Sequence, residues 1–199
     1  MYKIASKVLS NRLKVILPEI ISQNQSAFVF GRLITDNVLI AYEMNHFIQN
    51  KRSGEDGYAA LKLDMSKAYD RVEWPFMEKI MRRLGFHERW TSLIMKCITT
   101  VTYRIRVNGG LTERIVPTRG LRQGDPISPY LFLLCAEGFS SLLKNAKMNG
   151  NIQGVSICAG APSITHLLFA DDSLLLLKAN DENAAHLRHK FMRHAQGKK

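Results

Sequence analysis

The feature that most constrains the fold of this chain is a pair of adjacent acids with apolar residues on both sides. Residues 164–169 and 173–177 are two β-compatible apolar runs, and only Ala170, Asp171 and Asp172 separate them. Short apolar runs around a tight connection predict an antiparallel hairpin with both carboxylates at its tip. Because neighbouring carboxylates repel each other and are poorly solvated when partly buried, the arrangement indicates a positively charged partner.

A third acid, Asp64, follows the apolar segment YAALKL over residues 58–63. This run is short and bounded by turn residues, which predicts a buried strand that ends at Asp64. Three carboxylates that converge from two strand ends can hold two Mg²⁺ ions through hard oxygen ligands. A lone Asp-Asp pair in a loop is usually a solvated turn, but the apolar flanks on both sides argue against that interpretation here.

Helical spacing of apolar residues predicts the elements around these strands. A basic amphipathic helix runs from Ile4 and should end at Pro18, and a second helix should be capped by Thr35. That second helix carries Val38, Ala41 and Tyr42 at one-face spacing. Further helices are expected over residues 75–84, 90–97 and 129–143, and a hairpin is expected around Asn108-Gly109. The polar residues 50–57 are the best candidate for a boundary.

Composition limits the class of protein. The 199 residues are 46% hydrophobic, which suffices for a core and argues against disorder. With 28 Lys and Arg against 17 Asp and Glu, the formal charge is +11. A scattered positive excess suits a polyanionic partner, although a merely soluble basic protein would show the same charge. Three widely spaced cysteines, Cys97, Cys135 and Cys158, are expected to be buried free thiols.

No apolar stretch approaches the roughly 18 residues of a membrane span, and no targeting signal is seen at the N-terminus. We therefore expect an intracellular protein, nuclear or cytoplasmic, that has no membrane partner.

Several segments together carry a specific resemblance. LKLDMSKAYDRVEW, GLRQGDPISPYLF and LLFADDSLLLL resemble, in this order and spacing, the three central palm motifs of reverse transcriptases. The upstream ISQNQSAFVFGR and YKIASKVLSNRL are similar to the fingers motifs of the non-LTR (LINE-type) retrotransposon family, in a plant-like form. The resemblance covers about residues 1 to 178. A group II intron-like reverse transcriptase is the nearest alternative, and it differs in the fingers segment.

The resemblance implies RNA-directed DNA polymerase activity with two Mg²⁺ ions, or Mn²⁺ in their place. The implied metal ligands and catalytic residues are Asp64, Asp171 and Asp172. Met65 is an implied nucleotide-binding residue, and its carbonyl can also serve the metal site. The implied partners are an RNA template, a DNA primer and deoxynucleoside triphosphates.

Other residues of the matching motifs have implied roles in substrate binding. Tyr69 matches the steric gate, an aromatic ring that packs under the sugar and disfavours a 2′-hydroxyl. Gln123 matches the residue near the incoming nucleotide, and Gly124 matches a point of close backbone approach. Phosphate contacts are a weaker expectation for a basic set: Arg32, Lys62, Lys67 and Arg122.

The expected fold is α+β, a polymerase palm with a small antiparallel sheet packed on helices around residues 75 to 98 and 129 to 144. We expect one partial reverse transcriptase domain over 1–199, divided into a fingers remnant (1–55), the palm (56–178) and a basic C-terminal tail (179–199). The first fingers segment and the thumb of the family have no counterpart in this sequence, so we expect a truncated copy. Because those segments position the primer and the triphosphate, such a copy should polymerise poorly. The alternative from another class is a decayed fragment that binds RNA or DNA and catalyses nothing.

Overall fold

A computed structural model describes residues 2–51 and 57–195, with side chains as far as residue 188. The chain forms two compact units: the first comprises Met1–Ile21 and Ser66–Gly138, and the second comprises Ser22–Met65 and Phe139–Lys199. In chain order the elements are α1 (Tyr2–Ile20), α2 (Ile34–Asn50), β1 (Tyr58–Leu63), a 3₁₀ turn (Tyr69–Arg71), α3 (Trp74–Arg83), α4 (Glu88–Thr99), β2 (Arg106–Val107), β3 (Gly110–Leu111), α5 (Ser128–Met148), β4 (His166–Phe169), β5 (Asp172–Lys178) and α6 (Asp181–Ala195).

The first unit is mostly helical. Pro75 lies in the first turn of α3, where its missing N–H costs nothing, and Gly85 follows the helix with a φ of 85°. Met77 and Met81, one turn apart on α3, are both fully buried, and α3 packs against α4. The predicted helices over residues 75–84 and 90–97 are therefore confirmed.

The same unit carries the predicted hairpin. Asn108 and Gly109 have φ angles of 48° and 83°, which a type I′ turn requires of both central residues. They connect β2 to β3, whose residues pair as Arg106 with Leu111 and Val107 with Gly110. The predicted turn is correct, and the paired strands are only two residues long.

The second unit contains a three-stranded antiparallel sheet in the order β1-β5-β4. Alternate residues of β5 face opposite sides of this sheet. Leu175 and Leu177 pack with residues of α5, and Leu176 packs with Met44 of α2. Helices therefore cover both sides of the sheet, as the α+β prediction requires.

Two predictions about burial are wrong. β1 has the predicted bounds, but it is an edge strand, and residues 59–62 are exposed. A short apolar run does not reveal whether its strand lies inside a sheet or at its edge. Among the cysteines, all free, Cys158 is exposed and the other two are partly buried.

Two helix predictions need correction. α1 continues past Pro18 to Ile20, and the amide of Ile21 still donates to the carbonyl of Leu17 at 2.9 Å. α2 begins one residue before Thr35, and its exposed residues include Val38 and Tyr42. The buried face of α2 instead holds Asn37 and Met44.

Residues 52–56 of the predicted boundary lie outside the described residues. The division into fingers, palm and tail stays a prediction. None of the described helices combines the length and the apolar character that crossing a bilayer requires.

Candidate active site

The two adjacent acids lie at the tight turn between β4 and β5. Phe169 pairs with Asp172, so that Ala170 and Asp171 form a two-residue connection. Ala170 has a φ of 52°, in the left-handed region. A residue with a Cβ atom pays roughly 1–2 kcal/mol for this conformation. The turn is therefore strained at the residue before Asp171, and its surroundings must hold it in place.

Asp64 lies at the same end of the sheet. β1 pairs with β5 in a register that sets Leu63 opposite Ser173. One further step in that register brings Asp64 opposite Asp172. The three acids that the sequence singled out thus belong to one unit and to one end of one sheet.

A lysine lies beside these acids. Lys62 opposes Leu174, two residues from Asp172, and its Nζ atom lies 3.4 Å from Asp172 Oδ1. This is a diagonal cross-strand pair on one face of the sheet. Both side chains are more than half exposed, so this pair contributes at most about 1 kcal/mol to stability. The ammonium group provides a positive partner for one acid of the turn.

The donors at this sheet end suit a hard divalent cation, because carboxylate oxygens are the ligands that Mg²⁺ prefers. Their side chains are not gathered, however: within residues 2–51 and 57–188, no three His, Cys, Asp or Glu side chains form a group able to hold a metal ion. Asp64, Asp171 and Asp172 are exposed, which leaves their side chains free to change rotamer. The donor types suit Mg²⁺, and the predicted convergence of the three carboxylates on two ions stays a prediction.

Gln25 contacts the acidic turn, by which we mean Ala170, Asp171 and Asp172, and sequence reasoning missed it. Its side chain is buried, with only 1% of the residue exposed. The Oε1 atom accepts from the amide of Ala170 at 3.1 Å and from the amide of Ala27 at 2.9 Å. The Nε2 atom donates to the carbonyl of Ala170 at 3.5 Å. One buried side chain therefore binds both main-chain polar groups of the strained residue.

The segment around Gln25 runs alongside β4. Gln25 and Leu168 form a parallel bridge, in which the amide of Leu168 donates to the carbonyl of Asn24 at 2.8 Å. The amide of Ser26 and the Nδ2 atom of Asn37 both donate to the carbonyl of Leu168. Residues 24–26 thus cover the edge of β4 opposite β5. Nothing local in this polar stretch predicts a pairing with residues more than 140 positions away.

Arg32 supports this segment. Its Nη1 atom donates to the carbonyls of Ser22 at 2.5 Å and Gln25 at 2.7 Å. The guanidinium group thereby ties two turns of the loop together. The predicted phosphate contact of Arg32 stays a prediction beside this structural role.

The predicted steric gate, Tyr69, belongs to the first unit and begins its 3₁₀ turn. The half-buried ring stacks on Phe132 with centroids 5.4 Å apart and an interplanar angle of 11°. The carbonyl of Tyr69 accepts from the amide of Leu121 at 2.9 Å, and the carbonyl of Val72 accepts from Gly120 at 2.8 Å. Two hydrogen bonds thus join the Tyr69 turn to the loop that carries Gln123 and Gly124.

That loop is exposed from residue 122 to 124. Gly124 has a φ of 77° and open space where a Cβ atom would lie, so its conformation favours glycine. The guanidinium carbon of Arg122 lies 5.6 Å from the ring centre of Tyr2 and 5.8 Å from that of Tyr103. Lys67 is exposed and has a φ of 54°. The exposed head groups of both basic residues are compatible with the predicted phosphate contacts.

Asp125 is a further residue that sequence reasoning missed. It is buried, and its carboxylate accepts hydrogen bonds from the hydroxyls of Tyr2, at 2.5 Å, and Ser6. Burial, and then the bond to Asp125, raise the pKa of Tyr2 well above its usual value. This aspartate therefore anchors α1 to the loop after Gly124, a structural role.

His166 lies on β4 within the second unit. It is 1% exposed, with Nε2 2.8 Å from Ser140 Oγ and Nδ1 2.9 Å from Thr165 Oγ1. Burial, and then the charges of Lys144 and Lys147, lower its pKa to about 4. The histidine is therefore neutral at pH 7 and serves as a hydrogen-bonded core residue.

Comparisons with known proteins agree with the sequence motifs. A family model described as reverse transcriptase (RNA-dependent DNA polymerase) matches residues 1–197. The chain is 32% identical over 181 residues to a retrovirus-related Pol polyprotein from the type-1 retrotransposable element R2 of Popillia japonica. It is 31% identical over 175 residues to an uncharacterized 149 kDa protein of transposon TX1 from Xenopus laevis. These matches cover 90% and 88% of the chain, which spans only 24% and 13% of the two relatives.

A solved structure shares the fold. Apo telomerase from Candida tropicalis matches 99% of this chain, and the match covers 35% of the telomerase chain, with a TM-score of 0.62 at 11% identity. At so low an identity the likeness shows the fold alone, which is that of a polymerase palm with part of its fingers.

Proposed function

This chain belongs to the reverse transcriptase (RNA-dependent DNA polymerase) family, in its non-LTR, LINE-type retrotransposon branch. From that premise we propose that Asp64, Asp171 and Asp172 catalyse RNA-templated addition of deoxynucleotides to a primer 3′-hydroxyl. The retrotransposon relatives favour this branch over the group II intron-like alternative.

One observation carries the proposal: the β1–β5 register brings the three acids to the same end of one sheet. Asp64, Asp171 and Asp172, with the carbonyl of Met65, would hold two Mg²⁺ ions or Mn²⁺ in their place. Bound there, such ions supply activation of the primer hydroxyl and stabilisation of charge on the leaving pyrophosphate. The strained turn at Ala170 supports the assignment, because strained backbone conformations cluster at functional sites.

The substrate-binding roles belong to the same proposal. Tyr69 would limit the space beneath the sugar, while Gln123 and Gly124 would approach the incoming deoxynucleoside triphosphate. Members of this family bind a nucleic-acid template, and the charge of +11 suits one. We assign an RNA template and a DNA primer to this chain, with phosphate contacts from Arg32, Lys62, Lys67 and Arg122.

Primer extension on an RNA template tests the proposal, with Asp171→Asn compared to Asp181→Asn, a change of an exposed acid at the start of α6. We expect slow but detectable Mg²⁺-dependent incorporation by the parent chain and by Asp181→Asn, and no detectable incorporation by Asp171→Asn. Salt-dependent nucleic-acid binding without incorporation would instead favour a binding module that catalyses nothing.

A further inference from the structure

We propose that Gln25 is a positioning residue for the acidic turn: its buried amide fixes the main chain of Ala170 and thereby sets the direction of Asp171 and Asp172. This inference rests on the proposed function in one respect, because the turn matters for activity only if the acids are catalytic.

The contacts of Gln25 are directed at the residue that needs support. Its Oε1 atom accepts from the amide of Ala170, and its Nε2 atom donates to the carbonyl of the same residue. Two bonds to one peptide segment restrict rotation more than one bond does. Since Ala170 adopts a left-handed φ of 52°, release of these bonds removes the restraint on an unfavourable conformation.

The surroundings of Gln25 hold its side chain in one position. The residue is 1% exposed, and its main-chain carbonyl accepts a hydrogen bond from Arg32. The carbonyl of the neighbouring Asn24 accepts hydrogen bonds from the side chain of Asn37 and the amide of Leu168. A buried amide without partners is costly, so the side chain stays in the one position that satisfies both of its polar ends. The hydrogen bonds that hold residues 24 and 25 in place therefore also fix the Gln25 side chain against Ala170.

The test uses the 199-residue chain with Gln25→Met, which keeps length and volume but loses the donor and the acceptor. Gln49→Met, at an exposed glutamine near the end of α2, is the matched control. Gln25→Asn, one methylene shorter and still polar, replaces the Met variant if that variant does not fold. Protection of the amide of Leu176, bonded to the carbonyl of Thr165 at 2.8 Å, reports folding of the sheet.

The first measurement is amide hydrogen exchange of Ala170 by NMR in metal-free protein. We expect at least about tenfold faster exchange in the Gln25 variant, with Leu176 unchanged, because the buried acceptor is lost. The Gln49 variant should match the parent chain. Unchanged exchange at Ala170 in a folded Gln25 variant overturns the proposal, whatever the enzymatic activity.

The second measurement is Mn²⁺ titration, followed by paramagnetic broadening of the amides of Asp171 and Asp172, alongside primer extension. A positioning role predicts weaker Mn²⁺ binding and a kcat lowered about ten- to a hundredfold at an unchanged KM for the nucleotide. Faster exchange with parent-like Mn²⁺ binding overturns it. If the parent chain extends no primer, the proposed polymerase function fails, and exchange and Mn²⁺ binding still decide the role of Gln25.

Discussion

The ammonium of Lys62 lies 3.4 Å from a carboxylate oxygen of Asp172, so a cation of the chain itself already faces the acidic turn. The two residues are diagonal neighbours on β1 and β5. Any divalent ion at Asp172 would have to share this carboxylate with the lysine or displace it.

Replacement of Lys62 by Gln should therefore strengthen Mn²⁺ binding. An exposed pair contributes at most about 1 kcal/mol, which limits the gain to roughly fivefold. Titration by calorimetry measures it, and Lys79→Gln, at an exposed lysine of α3, is the control. Weaker binding in Lys62→Gln would show that this lysine supports the site instead of competing for it.

Substitution of Ala170 by Gly should not destabilise the second unit. Glycine removes the penalty for a φ of 52° but increases the freedom of the unfolded chain, so the free energy of unfolding should rise by about 0–1 kcal/mol. Ala179→Gly, at a residue without a positive φ, should lower that free energy by about 0.5–1 kcal/mol. Urea unfolding compares the two, and equal losses would contradict the assignment of strain.

Truncation of Tyr69 to Val should weaken discrimination against ribonucleotides by at least about tenfold, because space opens beneath the sugar. Single-nucleotide incorporation with matched ribo- and deoxynucleotides measures this in an active preparation. Tyr42→Val, at an exposed tyrosine of the second unit, serves as the control. Discrimination that survives in the Tyr69 variant would remove the steric-gate role.

His166 should make the protein less stable in acid. Its pKa is about 4 in the fold, against an ordinary value of 6.5, so the unfolded chain binds the proton more readily. The neutral histidine contributes to the free energy of unfolding above pH 6.5, and this contribution, at most about 3 kcal/mol, is lost as pH falls toward 4. Urea unfolding between pH 7 and 4 should show a shallower pH dependence in His166→Gln than in the parent or in His46→Gln, an exposed control. Equal slopes would contradict this.

Local patterns predicted the elements well and their partners less well. The bounds of β1, the Asn108-Gly109 turn and the acidic hairpin follow from residue spacing over fewer than fifteen positions. The exposure of β1 does not, since it depends on which strand pairs with it. The same limit explains α2, where the amide of Asn37 is buried because it reaches the carbonyl of Leu168, 131 positions away.

In the candidate site, too, some residues could be predicted from the sequence and one could not. Its acids were evident from two adjacent charges among apolar residues, and the resemblance added the roles of Tyr69 and Gln123. Gln25 was not evident, because a buried glutamine and a solvated one look alike until the bond to Ala170 is seen.

The edge position of β1 has a consequence for how this protein behaves in solution. An edge strand offers a row of main-chain donors and acceptors on which a strand of another molecule can align, and this route leads to aggregation. In β1 the exposed apolar Leu61 stands next to Lys62. A lysine in an edge strand opposes such association, because pairing of two copies would bring like charges together. The residue that faces the acidic turn therefore also opposes edge-to-edge pairing of two copies through β1.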